Sequence, residues 1–212
     1  MVIAIDGPAG AGKSTVAKGV ARALGFTYLD SGAMYRAVAL AALERGIDPD
    51  DGERLGELAW ELDINFDGDS IHLDGKPVEG KIRSPEVTVA ASRVSVHPQV
   101  RQAMVKRQRE LIASGNYVAE GRDIGTVVSP EAPLKVFLTA DEQERARRRA
   151  VDSGEPVDEV RQAIGDRDRR DQERADSPLR RAPGAVNIDT TDLTPDEVVE
   201  EIAKLARERG VG

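Results

Sequence analysis

Val2-Ile3-Ala4-Ile5-Asp6-Gly7-Pro8-Ala9-Gly10-Ala11-Gly12-Lys13-Ser14-Thr15 is the stretch on which the fold turns. Residues 2–6 are a largely aliphatic run with no helical period, which reads as a buried parallel strand. Residues 7–14 fit G-x-x-x-x-G-K-[ST], and after them Val16, Ala17, Val20, Ala21 and Leu24 take up helical spacing. Strand, glycine loop and helix start together define a phosphate-binding loop. Glycines let the backbone curl so that successive N–H groups face one anion, and the helix start adds unpaired N–H groups and the positive end of its dipole. Lys13 supplies a point charge for the outer phosphates. The Ser14 hydroxyl is placed to ligate a magnesium ion that bridges them. Gly7, Pro8, Ala9, Gly10, Ala11, Gly12, Lys13, Ser14 and Thr15 are therefore the expected nucleotide-phosphate site, with Ser14 as metal ligand.

Outward from the loop, Gly25 caps the first helix and Phe26-Thr27-Tyr28-Leu29 reads as a second strand. Strand, helix, strand in succession implies a parallel sheet with a right-handed crossover. Asp30 or Ser31 caps the next helix, which carries Tyr35 and Arg36 one turn in from the strand end, where such sheets bind ligands. A short amphipathic helix follows over 51–62, and Trp60 reads as core or rim packing. Residues 63–79 then alternate apolar and polar side chains around two Asp-Gly pairs, which predicts a three-stranded antiparallel meander. His72 is placed on a strand surface and His97, before Pro98, in a capping role.

Helices are predicted over about 84–95 and 98–114, and strands over 116–119, 134–138 and 185–189. Thr139-Ala140-Asp141-Glu142 and Thr194-Pro195-Asp196-Glu197 read as capping boxes. Between them lies an arginine-rich helical hairpin, broken at 152–156 and ending near Ala175. The layout is a single α/β domain, three layers around a central parallel sheet: core 1–62, 96–144 and 176–212, an inserted antiparallel β plus helix subdomain at 63–95, and a helical lid at 145–175.

At 212 residues the chain suits one domain. It contains no apolar run long enough to span a membrane, and the first residues run straight into the strand, so neither a membrane span nor a signal peptide is expected. The absence of cysteine excludes disulfides and thiol chemistry, and a net charge of −8 argues against broad nucleic-acid binding. A cytoplasmic monomer without nucleic-acid or membrane partners is the expectation.

Arg36 and Arg122 follow strand ends beside short polar residues, where a positive charge gains little from a core. Phosphoryl transfer spreads negative charge over several oxygens, so an enzyme joining two phosphorylated molecules needs more cations than one loop lysine. Arg101, Arg174 and the cluster Arg145–Arg149 are further candidates. Residues 141–176 interleave acids with arginines, however, which alone reads as a salt-bridged surface.

Four segments carry a family resemblance: the loop 7–14, Leu29-Asp30-Ser31-Gly32-Ala33-Met34-Tyr35-Arg36, Glu120-Gly121-Arg122-Asp123-Ile124-Gly125-Thr126, and Arg167-Asp168-Arg169-Arg170-Asp171-Gln172-Glu173-Arg174. Together they resemble the bacterial cytidylate kinases, P-loop nucleoside monophosphate kinases, over essentially the full chain. The resemblance implies a P-loop NTPase fold in which 63–95 binds the monophosphate, and transfer from ATP to CMP or dCMP with magnesium. It further implies that Arg36, Arg122 and Arg174 bind the CMP phosphate, and that Ser92, Arg101 and Asp123 read cytosine. Ser31 and Tyr35 line the pocket, and Asp171 touches the ribose hydroxyls. Lys13, Arg122 and Arg174 are the implied catalytic groups, and the lid, with Arg148 among its arginines, covers ATP. Kinases for shikimate or dephospho-coenzyme A share loop and lid but have no evident need for the Ser92, Arg101 and Asp123 set. A guanine-specific switch is disfavoured, because none of Asn65, Asn116 and Asn187 precedes a lysine.

Overall fold

Strand β1 (Val2–Asp6) is buried at all five positions, as an aliphatic run inside a sheet must be. It pairs in parallel with β6 (Tyr117–Gly121) on one side and β7 (Leu134–Thr139) on the other, and β7 pairs in parallel with β8 (Val186–Asp189). With β2 (Thr27–Asp30) the sheet order is β2-β6-β1-β7-β8. The loop leaving β1 therefore opens at the carboxyl edge in mid-sheet, where ligands of open α/β sheets sit. In the computed structural model, residues 1–211 are described, Asp152 in its backbone alone. The chain divides into two compact units, Met1–Leu29 with the chain from Gly115 onward, and Asp30–Ser114.

In the first unit, helices α1 (Lys13–Leu24) and α8 (Pro195–Glu208) cover one face of the sheet. Ile3, Ile5, Val118, Leu134, Val136 and Leu138 meet Val16, Val20, Val198 and Ile202 in one apolar core. Gly19 lets the two helices close up: a Cβ there would lie 2.5 Å from a Val199 methyl. Thr194 and Glu197 form the expected capping box of α8, with Pro195 in its first turn. Helices α6 (Glu142–Ser153) and α7 (Val157–Glu173) make the arginine-rich hairpin, with Gly154 in the left-handed conformation at the end of α6.

The second unit holds helices α2 (Ser31–Glu44), α3 (Gly52–Glu61), α4 (Pro85–Val94) and α5 (Pro98–Ile112), packed as α2 on α4 and α3 on α5. It also holds the antiparallel meander of β3 (Ile64–Asp67), β4 (Ser70–Leu73) and β5 (Lys76–Pro77). Of the two cap candidates for α2, Asp30 is the one used, accepting from Ala33 N–H at 2.9 Å.

Two local expectations are corrected, and one element has no sequence signal. Thr139 does not open a capping box. It is the last residue of β7, paired with Asp189, so its backbone is committed to the sheet, and Asp141 caps α6 by accepting from Gln143 N–H. His97 stands at the N-cap of α5 without capping it, because its ring Nε2 bonds the Pro49 carbonyl at 2.9 Å. Ile124–Val128, which no periodicity marks, forms a short π-helix. Trp60 resolves to the rim: it is 47% exposed, with the Lys106 ammonium 5.1 Å above its ring.

Candidate active site

The phosphate loop needs glycine where the sheet crowds it. At Gly7 φ is +154°, and a Cβ would stand 2.2 Å from the Leu138 carbonyl oxygen. At Gly10, φ +78°, it would meet Arg145 backbone and Cβ at 2.9 Å. Lys13 opens α1, is 7% exposed, and donates from Nζ to the Pro8 carbonyl at 2.7 Å. Burial and the nearby Arg122 guanidinium push its ammonium down to about 7, against the opposing pull of Glu120 and Asp168. Ser14 and Thr15 are exposed at the helix start.

With its ammonium pushed down to about 7, Lys13 is only partly charged above neutral pH, and the negative charge of a bound polyphosphate favours its charged form. Binding of ATP at pH 8 should therefore be accompanied by net proton uptake. Calorimetry in buffers of different ionisation enthalpy measures this, and Lys13→Ala should take up essentially none.

The helical hairpin is seated on the loop. Asp168 accepts from Ala9 N–H at 3.0 Å, while Arg145 donates to the Ala9 carbonyl at 2.8 Å and is ion-paired with Asp168. Ala9 packs with Ala150, Val160 and Ile164 in a small apolar cluster. Arg148 donates to the Thr190 hydroxyl at 2.9 Å, the Thr190 carbonyl at 2.6 Å and Glu144 at 2.8 Å. A Cβ on Gly12 would lie 3.9 Å from its Nη1. Arg147, Arg161 and Arg169 pair with Glu144, Glu142 and Asp166, as the salt-bridged-surface reading expects.

Beyond the carboxyl end of β6, Arg122 bonds Asp171 at 3.0 Å. Arg174, the C-cap of α7, lies 3.7 Å from Asp171 and 3.8 Å from Asp123 and donates from Nε to the Ser177 carbonyl at 2.6 Å. Its side chain is 3% exposed. Burial pushes the Asp171 carboxyl up, but Arg122, Arg167 and Arg174 more than reverse this and hold it below the ordinary range. Four predicted residues, Arg122, Asp123, Asp171 and Arg174, are thus brought into one buried charge network.

The remaining predicted residues belong to the second unit. Arg101 is 1% exposed, donates to the Ser95 carbonyl at 3.3 Å, and sits 5.4 Å from the centre of the Tyr35 ring. Ser31 and Ser92 are buried, and Arg36 lies 4.0 Å from the Asp30 carboxylate. Among the described residues no group of three or more His, Cys, Asp or Glu side chains is placed to hold a metal. A magnesium ion here would take one hydroxyl from Ser14 and most of its ligands from phosphate and water, which suits that ion. No helix among the described residues is long and apolar enough to cross a membrane.

The family model for cytidylate kinase matches residues 3–208. The chain belongs to the cytidylate kinase family. A cytidylate kinase of Caldanaerobacter subterraneus subsp. tengcongensis is 50% identical over 99% of this chain and 96% of that protein. One from Solibacter usitatus is also 50% identical, over 99% and 93%. In fold, the chain is similar to a gluconokinase from Sinorhizobium meliloti (18% identity, TM-score 0.53, 99% and 93% covered). It is likewise similar to shikimate kinase from Acinetobacter baumannii (18%, 0.50, 100% and 95%).

For a cytidylate kinase family member, this arrangement can neutralise a concentrated set of anionic oxygens with a lysine and several fixed guanidiniums. The sequence reading missed three supporting residues. Asp168 orients Arg145 and holds the loop backbone, Thr190 receives Arg148, and Asp6 accepts two N–H bonds from residues 124 and 125. Each works across a long sequence separation, with no local pattern to announce it.

Proposed function

We propose that this chain transfers the γ-phosphoryl group of ATP to CMP or dCMP, giving ADP and CDP or dCDP. The observation that carries this is the pairing of β1 with β6: the phosphate loop leaves β1 after Asp6, and Arg122 follows Gly121, the residue opposite Asp6, into the network with Asp171 and Arg174. The cation of the phosphate loop and the cations of the acceptor set thus leave neighbouring strand ends. Two anions drawn to those charges meet end to end, which is what direct transfer needs.

In this reading the loop 7–15 cradles the ATP phosphates, with Lys13 on the outer ones. Magnesium, held by Ser14 and phosphate oxygens, supplies neutralising charge. Arg148, bonded to Thr190 and Glu144, is the lid arginine that meets bound ATP. Arg36, Arg122 and Arg174 bind the CMP phosphate, Asp171 meets the ribose hydroxyls, and Ser31 and Tyr35 line the pocket. Segment 63–95 is the monophosphate-binding insertion and 145–175 the lid. No general base is required, since the acceptor phosphate already presents a nucleophilic oxygen.

Cytosine offers an amine donor and ring acceptors. Asp123 accepts from the amine, while Arg101 and Ser92 serve the acceptors. Uracil places an acceptor where the amine stood, facing the carboxylate with nothing to donate. An unpaired buried polar group costs about 1–3 kcal/mol, so UMP should show kcat/KM about 5- to 150-fold below CMP. A coupled assay with ATP and each of CMP, dCMP, UMP and AMP tests the proposal. Equal kcat/KM for UMP and CMP contradicts this base readout, and failure to use CMP or dCMP contradicts the function.

A further inference from the structure

Asp6 closes β1, directly before the phosphate loop, and is 2% exposed. Its Oδ1 accepts from Ile124 N–H and its Oδ2 from Gly125 N–H, both at 2.8 Å. These are the first amides of the π-helix, the ones a helix start leaves without backbone partners. The residue in the N-cap position is Asp123, yet its side chain makes no capping bond. An aspartate at an N-cap ordinarily folds its carboxylate back onto those amides. Here a carboxylate from a neighbouring strand does that work. Asp123 directs its own toward Arg174 instead, 3.8 Å away.

The contact has little slack. In the parallel register Asp6 stands opposite Gly121, the residue that launches Arg122. A Cβ on Gly125 would lie 3.3 Å from Asp6 Oδ2 and 3.2 Å from both the Ala182 Cβ and the Lys135 side chain. Burial pushes the Asp6 carboxyl up to about 6, and the two N–H bonds oppose that rise. A group so costly to bury in charged form is held by those amides.

We propose that Asp6 is a positioning residue that fixes the segment carrying Arg122 and Asp123 against the strand of the phosphate loop, and so sets the discrimination between cytosine and uracil monophosphates. The inference rests on the reading of Asp123 as a base reader given above. One side chain thereby ties the backbone that feeds the ATP site to the backbone that presents the acceptor readers.

Asp6→Asn tests it. The amide keeps one acceptor oxygen but turns a donor toward the second N–H, so the segment loses one anchor and meets a donor–donor contact. The ratio of kcat/KM for CMP to that for UMP should fall about fivefold or more, while the ATP Kd from equilibrium titration stays within about threefold. Amide hydrogen exchange at Ile124 and Gly125 should quicken. A role confined to folding would lower the active fraction and reduce both substrates alike, so an unchanged ratio overturns the proposal. Gly125→Ala presses on the same contact from the other side and should lower the ratio too. If Asp6→Asn does not fold, an unchanged ratio in Gly125→Ala overturns the proposal by itself. A native protein that uses CMP and UMP equally refutes the base-reader assignment and the proposal with it. A native protein that discriminates, with variants that discriminate as well, refutes the proposal alone.

Discussion

Lys13→Ala is expected to lower kcat by about 10²–10³-fold or more, with the fold intact. The ammonium sits at the start of α1 in a 7%-exposed position, tethered to the Pro8 carbonyl at 2.7 Å. Its proton is held weakly, near pH 7, because burial and Arg122 both oppose the charge. Polyphosphate removes that penalty, and most of all as charge builds on the transferring oxygens. The interaction is thus stronger in the transition state than in the bound ground state, which is why its loss falls on kcat more than on ATP affinity. Lys13→Arg should not rescue, since the longer planar fork does not fit a buried site shaped for an ammonium. Steady-state kcat beside an equilibrium ATP Kd separates the two effects. A near-normal kcat in Lys13→Ala contradicts the assignment.

Arg174→Ala is expected to cost a comparable amount on the acceptor side. The side chain is 3% exposed and lies within 3.8 Å of both Asp123 and Asp171. Truncation takes one cation away from these two buried carboxylates, while Arg122 stays bonded to Asp171. Breaking a buried charge network by removing one partner costs about 3–5 kcal/mol, part of it paid in stability. The kcat/KM for CMP should fall by about 10²-fold or more, while the ATP Kd holds within about threefold. Arg174→Lys should recover part of the loss, since it restores charge without the fork. A full recovery by lysine, or an ATP Kd that rises by as much as CMP use falls, contradicts a role in gripping the acceptor phosphate.

What could be read from the chain was what local spacing encodes. The phosphate loop is a contiguous pattern whose backbone geometry demands glycine at Gly7 and Gly10, and it stands where the pattern placed it. The Asp-Gly pairs gave the meander, and Thr194 with Glu197 gave the start of α8. Asp30 and Ser31 were both plausible caps, and only the backbone angles of the formed helix separate them. Thr139 misled because a capping pattern and a strand end look alike until the pairing with Asp189 is known. Asp168 bonds Ala9 from 159 residues away, and Asp6 reaches Ile124 across 118. Neither contact leaves a period in the sequence. The alternation of acid and arginine over 141–176 hides two populations. Arg147, Arg161 and Arg169 pair at the surface, while Arg145 and Arg148 turn inward to Ala9 and Thr190. Composition treats the two alike.

We propose that one lysine-tipped loop and a set of fixed guanidiniums receive two different nucleotides, one of them a cytidine monophosphate. Equilibrium titration of the chain with CMP, and separately with ATP, tests it most directly. The expected result is saturable binding of both, with CMP bound more tightly than UMP. Saturable binding of ATP with no binding of CMP or dCMP would contradict it.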